Sequence, residues 1–218
     1  MKIKAVIFDM DGVITDTEKL LVKYWCRAAN ELGFPFEPRH AIEIRSLAGK
    51  YTEPLLKGYF GENFDYAAVR ARRIELMNED IEKNGLEKKK GLDNLLDFLG
   101  QNGFKRAVAT ATDVVRASAY LKKLNVYDKF DRIICASMVE NGKPKPDIYL
   151  YAAQQLGFSP DECIALEDSP NGVTSAFTAG CKTIMVPDLT EPDDELLKKL
   201  FRKCRDLDEV KTFMEQNL

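Results

Sequence analysis

The chain has 218 residues, 45% of them hydrophobic, enough to bury a substantial core in one domain or in one domain carrying a smaller insertion. Its 32 basic and 35 acidic residues leave a formal charge of −3, which excludes a general nucleic-acid or anionic-membrane surface, so any recognition of phosphate must be local. Five widely spaced cysteines with no CxxC pair, and an opening apolar run that breaks at Asp9, lead us to expect reduced thiols in a soluble, cytoplasmic protein with no signal peptide or membrane span.

The first predicted element is the strand "AVIFD" (5–9), a short apolar run that ends among the acids Asp9, Asp11 and Asp16. Residues from about 17 to 88 contain no convincing strand. The amphipathic segments "EKLLVKYWCRAANEL", closed by Gly33, and "DYAAVRARRIELMNEDIEK", closed near Gly85, predict a helical insertion packed on itself. Asp16 and Thr17 read as the hinge and N-cap that lead into it. His40 in "EPRHAIE" reads as an exposed or helix-start residue. "RARRIEL" (70–76) reads as a solvated helix face, although Lys50 first, then Arg72 or Arg73, are candidates to reach an anionic substrate.

After residue 90, short apolar runs at 106–110, 132–137, 163–168 and 183–187 alternate with helical segments, the pattern of βαβ units around a parallel sheet covered on both faces. Asp113, Asp147 and Asn171 stand as N-terminal punctuation of three of these helices, with Gly157 and Gly180 as C-terminal stops. The expected fold class is therefore α/β, a Rossmann-like doubly wound parallel sheet interrupted after its first strand.

Ligands of open parallel sheets sit beyond the carboxyl ends of the strands. The polar residues collected there are Asp9 and Asp11 from the first strand, Thr110 and Thr112 from the second, and Glu167, Asp168 and Ser169 from the fourth. Lys143, in "NGKPKPD", lies in the loop after the third. Crowded carboxylates repel unless a cation is present, and such an oxygen set suits Mg²⁺. Gly12 permits a sharp turn and close approach of a ligand to main-chain N–H groups. Thr112 and Asp113 read first as caps of the following helix.

In this order "DMDGVITDT", "VATAT", "GKPKPD" and "ALEDSPNG" resemble the four motifs of the haloacid dehalogenase-like hydrolases, and the insertion resembles the helical cap of their β-phosphoglucomutase-like subgroup. The resemblance implies a core of residues 1–15 and 89–218 with a cap of 16–88. It implies Asp9 as nucleophile forming an aspartyl-phosphate and Asp11 as acid and base. It implies Mg²⁺ on Asp9, the Asp11 carbonyl and Asp168, with Glu167 behind them, and Gly12, Thr110, Ala111 and Lys143 around the phosphoryl group. The expected activity is a phosphatase acting on a small phosphorylated metabolite, a sugar phosphate, in a monomer or weak homodimer. Phosphohexomutase action is the alternative, weakened because Leu21 stands where such mutases place a histidine; a non-catalytic module that accepts phosphate on Asp9 ranks lower.

Overall fold

The computed structural model describes residues 3–217. Six strands, β1 (Ala5–Phe8), β2 (Lys105–Thr110), β3 (Arg132–Cys135), β4 (Cys163–Glu167), β5 (Lys182–Met185) and β6 (Arg202–Lys203), form one parallel sheet in the order β3-β2-β1-β4-β5-β6. Ten helices accompany it among the described residues: α1 (Glu18–Glu31), α2 (Pro38–Glu43), α3 (Gly49–Phe60), α4 (Tyr66–Asn84), α5 (Leu92–Gln101), α6 (Val114–Lys123), α7 (Asp147–Leu156), α8 (Pro170–Ala179), α9 (Asp194–Leu197) and α10 (Leu207–Asn217).

The all-apolar strands are explained by burial on both faces. Ala5, Ile7, Ala107, Ala109 and Ala165 join a core with Ile148, Tyr149 and Ala152 of α7 and Ala176 of α8, while Val6, Phe8, Val108, Ile164 and Leu166 join one with Leu95 of α5 and Val210 of α10. Successive strand residues thus serve opposite layers, and the small residues fall where α7 crosses the sheet. The sixth strand escaped the sequence reading because it is two exposed charged residues at the sheet edge, with no apolar run to betray it. Strand order reverses between β1 and β4, so the acidic ends of these two central strands face the crevice where ligands of such sheets bind.

Helices α1 to α4 form the expected insertion between β1 and α5. The chain leaves and re-enters the core side by side: the Asp16 N–H donates to the Glu87 carbonyl (2.9 Å) and the Lys89 N–H to the Ile14 carbonyl (3.0 Å). Helix α1 packs along α4, and Trp25 stacks on Phe36 and Tyr66 with ring centroids 6.1 and 5.9 Å apart. His40 lies in the first turn of α2, in keeping with the helix-start reading, but it is buried rather than exposed. Its ring packs on Phe36, Tyr59 and Phe60, and its Nδ1 accepts the Glu37 N–H at 3.0 Å; Tyr59 and Phe60 come from α3, some twenty residues on in the sequence.

Asp113 caps α6 as expected, accepting the Arg116 N–H at 3.0 Å, and Gly157 and Gly180 end α7 and α8 in left-handed conformations. Two N-caps shift. Helix α7 begins on Asp147 with Pro146 in the capping position, and α8 is capped by Ser169, whose hydroxyl accepts the Gly172 N–H at 3.1 Å. Asn171 is thereby released for another task. All five cysteines are free, and no helix among the described residues is long and apolar enough to cross a membrane.

Candidate active site

Asp9 follows β1, Glu167 ends β4 and Asp168 follows it, so the pairing of the two strands brings three carboxylates together. All three are buried, and one oxygen from each lies within 4.8 Å of the others. Lys143 enters from the loop after β3. Its ammonium donates to Asp9 Oδ1 and to Glu167 Oε1, both at 2.6 Å, and Glu167 Oε1 also accepts the Tyr149 hydroxyl at 2.5 Å. Burial by itself would discharge this lysine, but its two carboxylate partners outweigh that and hold it above its ordinary value.

One ammonium does not satisfy three carboxylates. Asp9 Oδ2, Glu167 Oε2 and Asp168 Oδ1 are buried without a hydrogen-bond partner. Desolvation pushes the Asp9 carboxyl well above its usual range, with Lys143 pulling it back, and pushes Asp168 up to about 7 against the pull of Arg45. Orphaned, mutually repelling carboxylate oxygens are costly in a dry site, and they are the ligands a hard divalent cation takes. The donor set therefore fits Mg²⁺. Gly12 belongs to the same cluster: its φ is +87°, and a Cβ there would overlap the Asp168 carboxylate.

Asp11 is held differently. Its Oδ1 accepts from the Thr17 hydroxyl at 2.6 Å and its Oδ2 from the Thr112 hydroxyl at 2.9 Å, while the Thr110 hydroxyl accepts the Thr112 N–H at 3.0 Å. Thr17 occupies the N-cap position of α1 yet makes no side-chain capping bond. Both threonines first read as helix caps are thus clamps that fix the Asp11 carboxylate.

Two further groups carry no signature in the sequence. Arg45, in the loop after α2, donates through Nη2 to the Asp168 carboxylate and through Nη1 to the Thr190 hydroxyl (2.9 Å), and its Nε stands 3.0 Å from Glu18 Oε2. Asn171 fixes this loop from α8 by donating to the carbonyls of Arg45 (2.9 Å) and Glu43 (3.2 Å). The next residue, Ser46, takes a φ of +60°, a left-handed conformation that costs an ordinary residue about 1 kcal/mol. Glu18 was hidden because an acid in the first turn of a helix is already explained by the helix dipole. An isolated arginine among apolar residues offers no spacing to read.

A cavity of about 460 Å³ opens above this cluster. Its floor includes Asp9, Asp11, Thr110, Ala111 and Thr112, and its roof and walls are Leu21, Trp25, Arg45, Tyr66, Arg70 and Arg73 from the insertion. Lys143, Glu167, Asp168 and Gly12 do not line the cavity; Lys143 meets it through its bond to Asp9. Lys50 does not line the cavity: it points out from the start of α3 and donates to the Glu140 carbonyl (3.0 Å) and the Asn141 side chain, tying the insertion to the loop before Lys143. Arg72 faces outward and pairs with Glu31 (2.7 Å) and Glu75 (3.2 Å), whereas the neighbouring Arg73 turns inward.

The model of the haloacid dehalogenase-like hydrolase family matches residues 6–186, which takes in all four motif stretches. The chain belongs to the haloacid dehalogenase-like hydrolases. Among its relatives, the phosphorylated carbohydrates phosphatase of Thermotoga maritima is 32% identical over 181 residues, covering 83% of each chain. Hexitol phosphatase A of Escherichia coli is 32% identical over 189 residues, covering 85% of this chain and 84% of the relative. The crystal structure of β-phosphoglucomutase from Clostridium difficile superposes on this hydrolase with a TM-score of 0.82 at 26% identity, covering 98% and 96% of the two chains. This haloacid dehalogenase-like protein is therefore an enzyme, with the Rossmann-like fold of its family.

Proposed function

We propose that this hydrolase is a Mg²⁺-dependent phosphatase that cleaves a small phosphorylated metabolite, a sugar phosphate, through an aspartyl-phosphate on Asp9. The observation that carries this reading is the pairing of two unlike aspartates on one cavity floor. Asp9 has one oxygen on Lys143 and the other without a partner, while Asp11 is clamped by Thr17 and Thr112. The phosphatases among its relatives support the reaction class, and those acting on phosphorylated carbohydrates support the substrate class.

In the proposed reaction an Asp9 oxygen attacks phosphorus and the bond to the leaving oxygen breaks. Asp11 gives that oxygen its proton. Asp11, now a carboxylate, then takes a proton from water, which attacks the aspartyl-phosphate, releases inorganic phosphate and restores Asp9. Thr17 and Thr112 keep the Asp11 carboxyl aimed at the reacting oxygens through both steps. Lys143, Thr110 and the main chain at Gly12 and Ala111 neutralise and position the phosphoryl oxygens, which is most of what phosphoryl transfer asks of a protein. Held by Asp9, the Asp11 carbonyl and Asp168, with Glu167 beside them, Mg²⁺ would offset the negative charge that gathers there. The helical insertion, residues 16–88, acts as a cap that excludes bulk water and admits only small esters. We place the enzyme in the cytoplasm as a monomer or weak homodimer, in keeping with its free thiols.

The likeness to β-phosphoglucomutase favours a second reading, phosphohexomutase, but Leu21 lines the cavity where that reading needs a proton-carrying side chain. A panel of small phosphate esters, with Mg²⁺ and with chelator, tests the proposal. Mg²⁺-dependent release of phosphate from sugar phosphates is expected. No release from any ester, or rapid interconversion of β-glucose 1-phosphate and glucose 6-phosphate, would overturn it.

A further inference from the structure

The buried acids around the cluster outnumber the buried cations that pair with them. Among the described residues Asp9, Glu18, Glu167 and Asp168 form ion pairs only with Lys143 and Arg45, so four acids face two cations and the shortfall is two charges, that of one divalent ion. Lys143 belongs to the core, in the loop after β3. Arg45 belongs to the helical insertion, in the loop after α2. Half of the compensating charge therefore stands on the part of the chain that roofs the cavity.

Arg45 and the core meet on Asp168. Asp168 Oδ2 accepts from Arg45 Nη2, which also lies 3.3 Å from the Asp168 carbonyl, while Asp168 Oδ1 is one of the orphaned oxygens of the cluster. One carboxylate thus stands between a guanidinium on the insertion and the oxygen set that fits Mg²⁺, and cations that share a carboxylate repel one another across it. Glu18 moderates this from the other side. Arg45 Nε is 3.0 Å from Glu18 Oε2 without the alignment of a hydrogen bond, so Glu18 shares the charge but does not hold the side chain. Neutral bonds hold the loop: Arg45 Nη1 to the Thr190 hydroxyl (2.9 Å), Asn171 to the Arg45 carbonyl (2.9 Å), and the Ala48 N–H to the Lys143 carbonyl (3.0 Å).

A salt bridge that only fastened the insertion could use any acid of the core, yet this one uses a carboxylate of the proposed metal site. We propose that Arg45 is a positioning residue that tunes metal binding: seated on Asp168, it lowers the affinity of the cluster for Mg²⁺, and bound Mg²⁺ in turn loosens the seat of the insertion. This rests on the Mg²⁺ reading of the cluster and on no assumption about the substrate. The expected coupling is about tenfold, equal to about 1.4 kcal/mol, and linkage makes it the same in both directions. A phosphate on the cavity floor returns negative charge to the cluster, so both cations are accommodated together once substrate is bound.

Calorimetry with Mg²⁺ alone reads the coupling without turnover. Arg45→Met is expected to bind Mg²⁺ about tenfold more tightly than wild type, because Asp168 then faces no competing guanidinium. Glu18→Gln is expected to bind it about threefold or more weakly, because the Arg45 charge is then unshared. Arg72→Met, on the outer face of α4, keeps the wild-type affinity. A bridge that merely held the site in shape would weaken binding in both the Arg45 and the Glu18 variant. Hydrogen exchange of the peptide containing Ala48, whose N–H is bonded to the Lys143 carbonyl, reads the reciprocal effect. Saturating Mg²⁺ is expected to speed that exchange in the wild type by about the same tenfold, and to leave the already fast Arg45→Met unchanged. Mg²⁺ affinity that falls or stays level in Arg45→Met, affinity undiminished in Glu18→Gln, or wild-type exchange that does not quicken with Mg²⁺ would overturn the proposal while leaving the metal reading intact. A wild type that binds no Mg²⁺ at all would overturn the metal reading, and the proposal with it.

Discussion

Replacing Lys143 with methionine keeps most of the side-chain volume and removes the ammonium that stands 2.6 Å from both Asp9 and Glu167. Deleting one partner of a buried ion pair costs about 3–5 kcal/mol, because the charge left behind is uncompensated. Here two carboxylates are stranded beside a third, Asp168, which already has an unpartnered oxygen. At neutral pH with chelator, Lys143→Met is therefore expected to lose about 3–5 kcal/mol. With about 2–4 °C per kcal/mol for a chain of this size, its melting temperature falls by roughly 6–20 °C. The stranded carboxylates can instead take up protons, so the deficit shrinks at pH about 5. A divalent cation supplies the missing charge directly, and Mg²⁺ is expected to stabilise the variant more than the wild type. Urea unfolding followed by circular dichroism under these conditions measures each effect. A variant within about 1 kcal/mol of wild type at neutral pH in chelator would refute the reasoning, since the ammonium would then not be what makes the buried acids tolerable.

Three further expectations follow from the same cluster. Asp168 is raised by burial from an ordinary value of 3.8 to about 7, so the folded state binds the extra proton. Its contribution is present at low pH and is lost as pH rises from about 4 to 7, on the order of 4 kcal/mol if unopposed. Mg²⁺ should flatten this loss, and a difference between chelator and Mg²⁺ curves that does not grow with pH would contradict it. Gly12→Ala adds a left-handed alanine and a Cβ that overlaps the clamped Asp168 carboxylate, for a loss of about 2–5 kcal/mol and of Mg²⁺ affinity, read by unfolding and calorimetry. Thr17→Val and Thr112→Val each remove one hydrogen bond to Asp11, and each is expected to lower kcat about 10–100-fold while leaving Mg²⁺ affinity unchanged. An unchanged kcat in both would remove Asp11 from the proton transfers.

Legibility in the sequence followed the range of the interactions. The first five strands were readable because strands buried on both faces must be apolar throughout, and the acids at their ends were readable because a strand end is where the apolar run stops. Asp9, Asp11, Thr110, Lys143 and Asp168 stood in stretches whose order matches one family, and the fold brings Asp9, Lys143, Glu167 and Asp168 into one buried cluster. What was not readable depends on partners far along the chain. Arg45 is recognisable only once Asp168 lies beside it, 123 residues later in the sequence. Lys50 and Arg73 differ in role because α3 turns one outward to Glu140 and α4 turns the other inward beneath Trp25, and composition alone ranks them in the wrong order for entry to the cavity. Thr17, Thr112 and Asn171 each had a sufficient local explanation as helix caps, which concealed the bonds they make instead, to Asp11 for the two threonines and to the Arg45 carbonyl for Asn171.

The central claim is that Asp9 carries the phosphoryl group between substrate and water. Acid quench of the enzyme during turnover, followed by mass spectrometry of the peptide that contains Asp9, tests it most directly. A phosphoryl adduct on Asp9 that forms with substrate, disappears on a chase with unreactive buffer and is absent from Asp9→Asn is the predicted result. Steady phosphate release with no adduct on Asp9, or undiminished turnover by Asp9→Asn, would contradict the account.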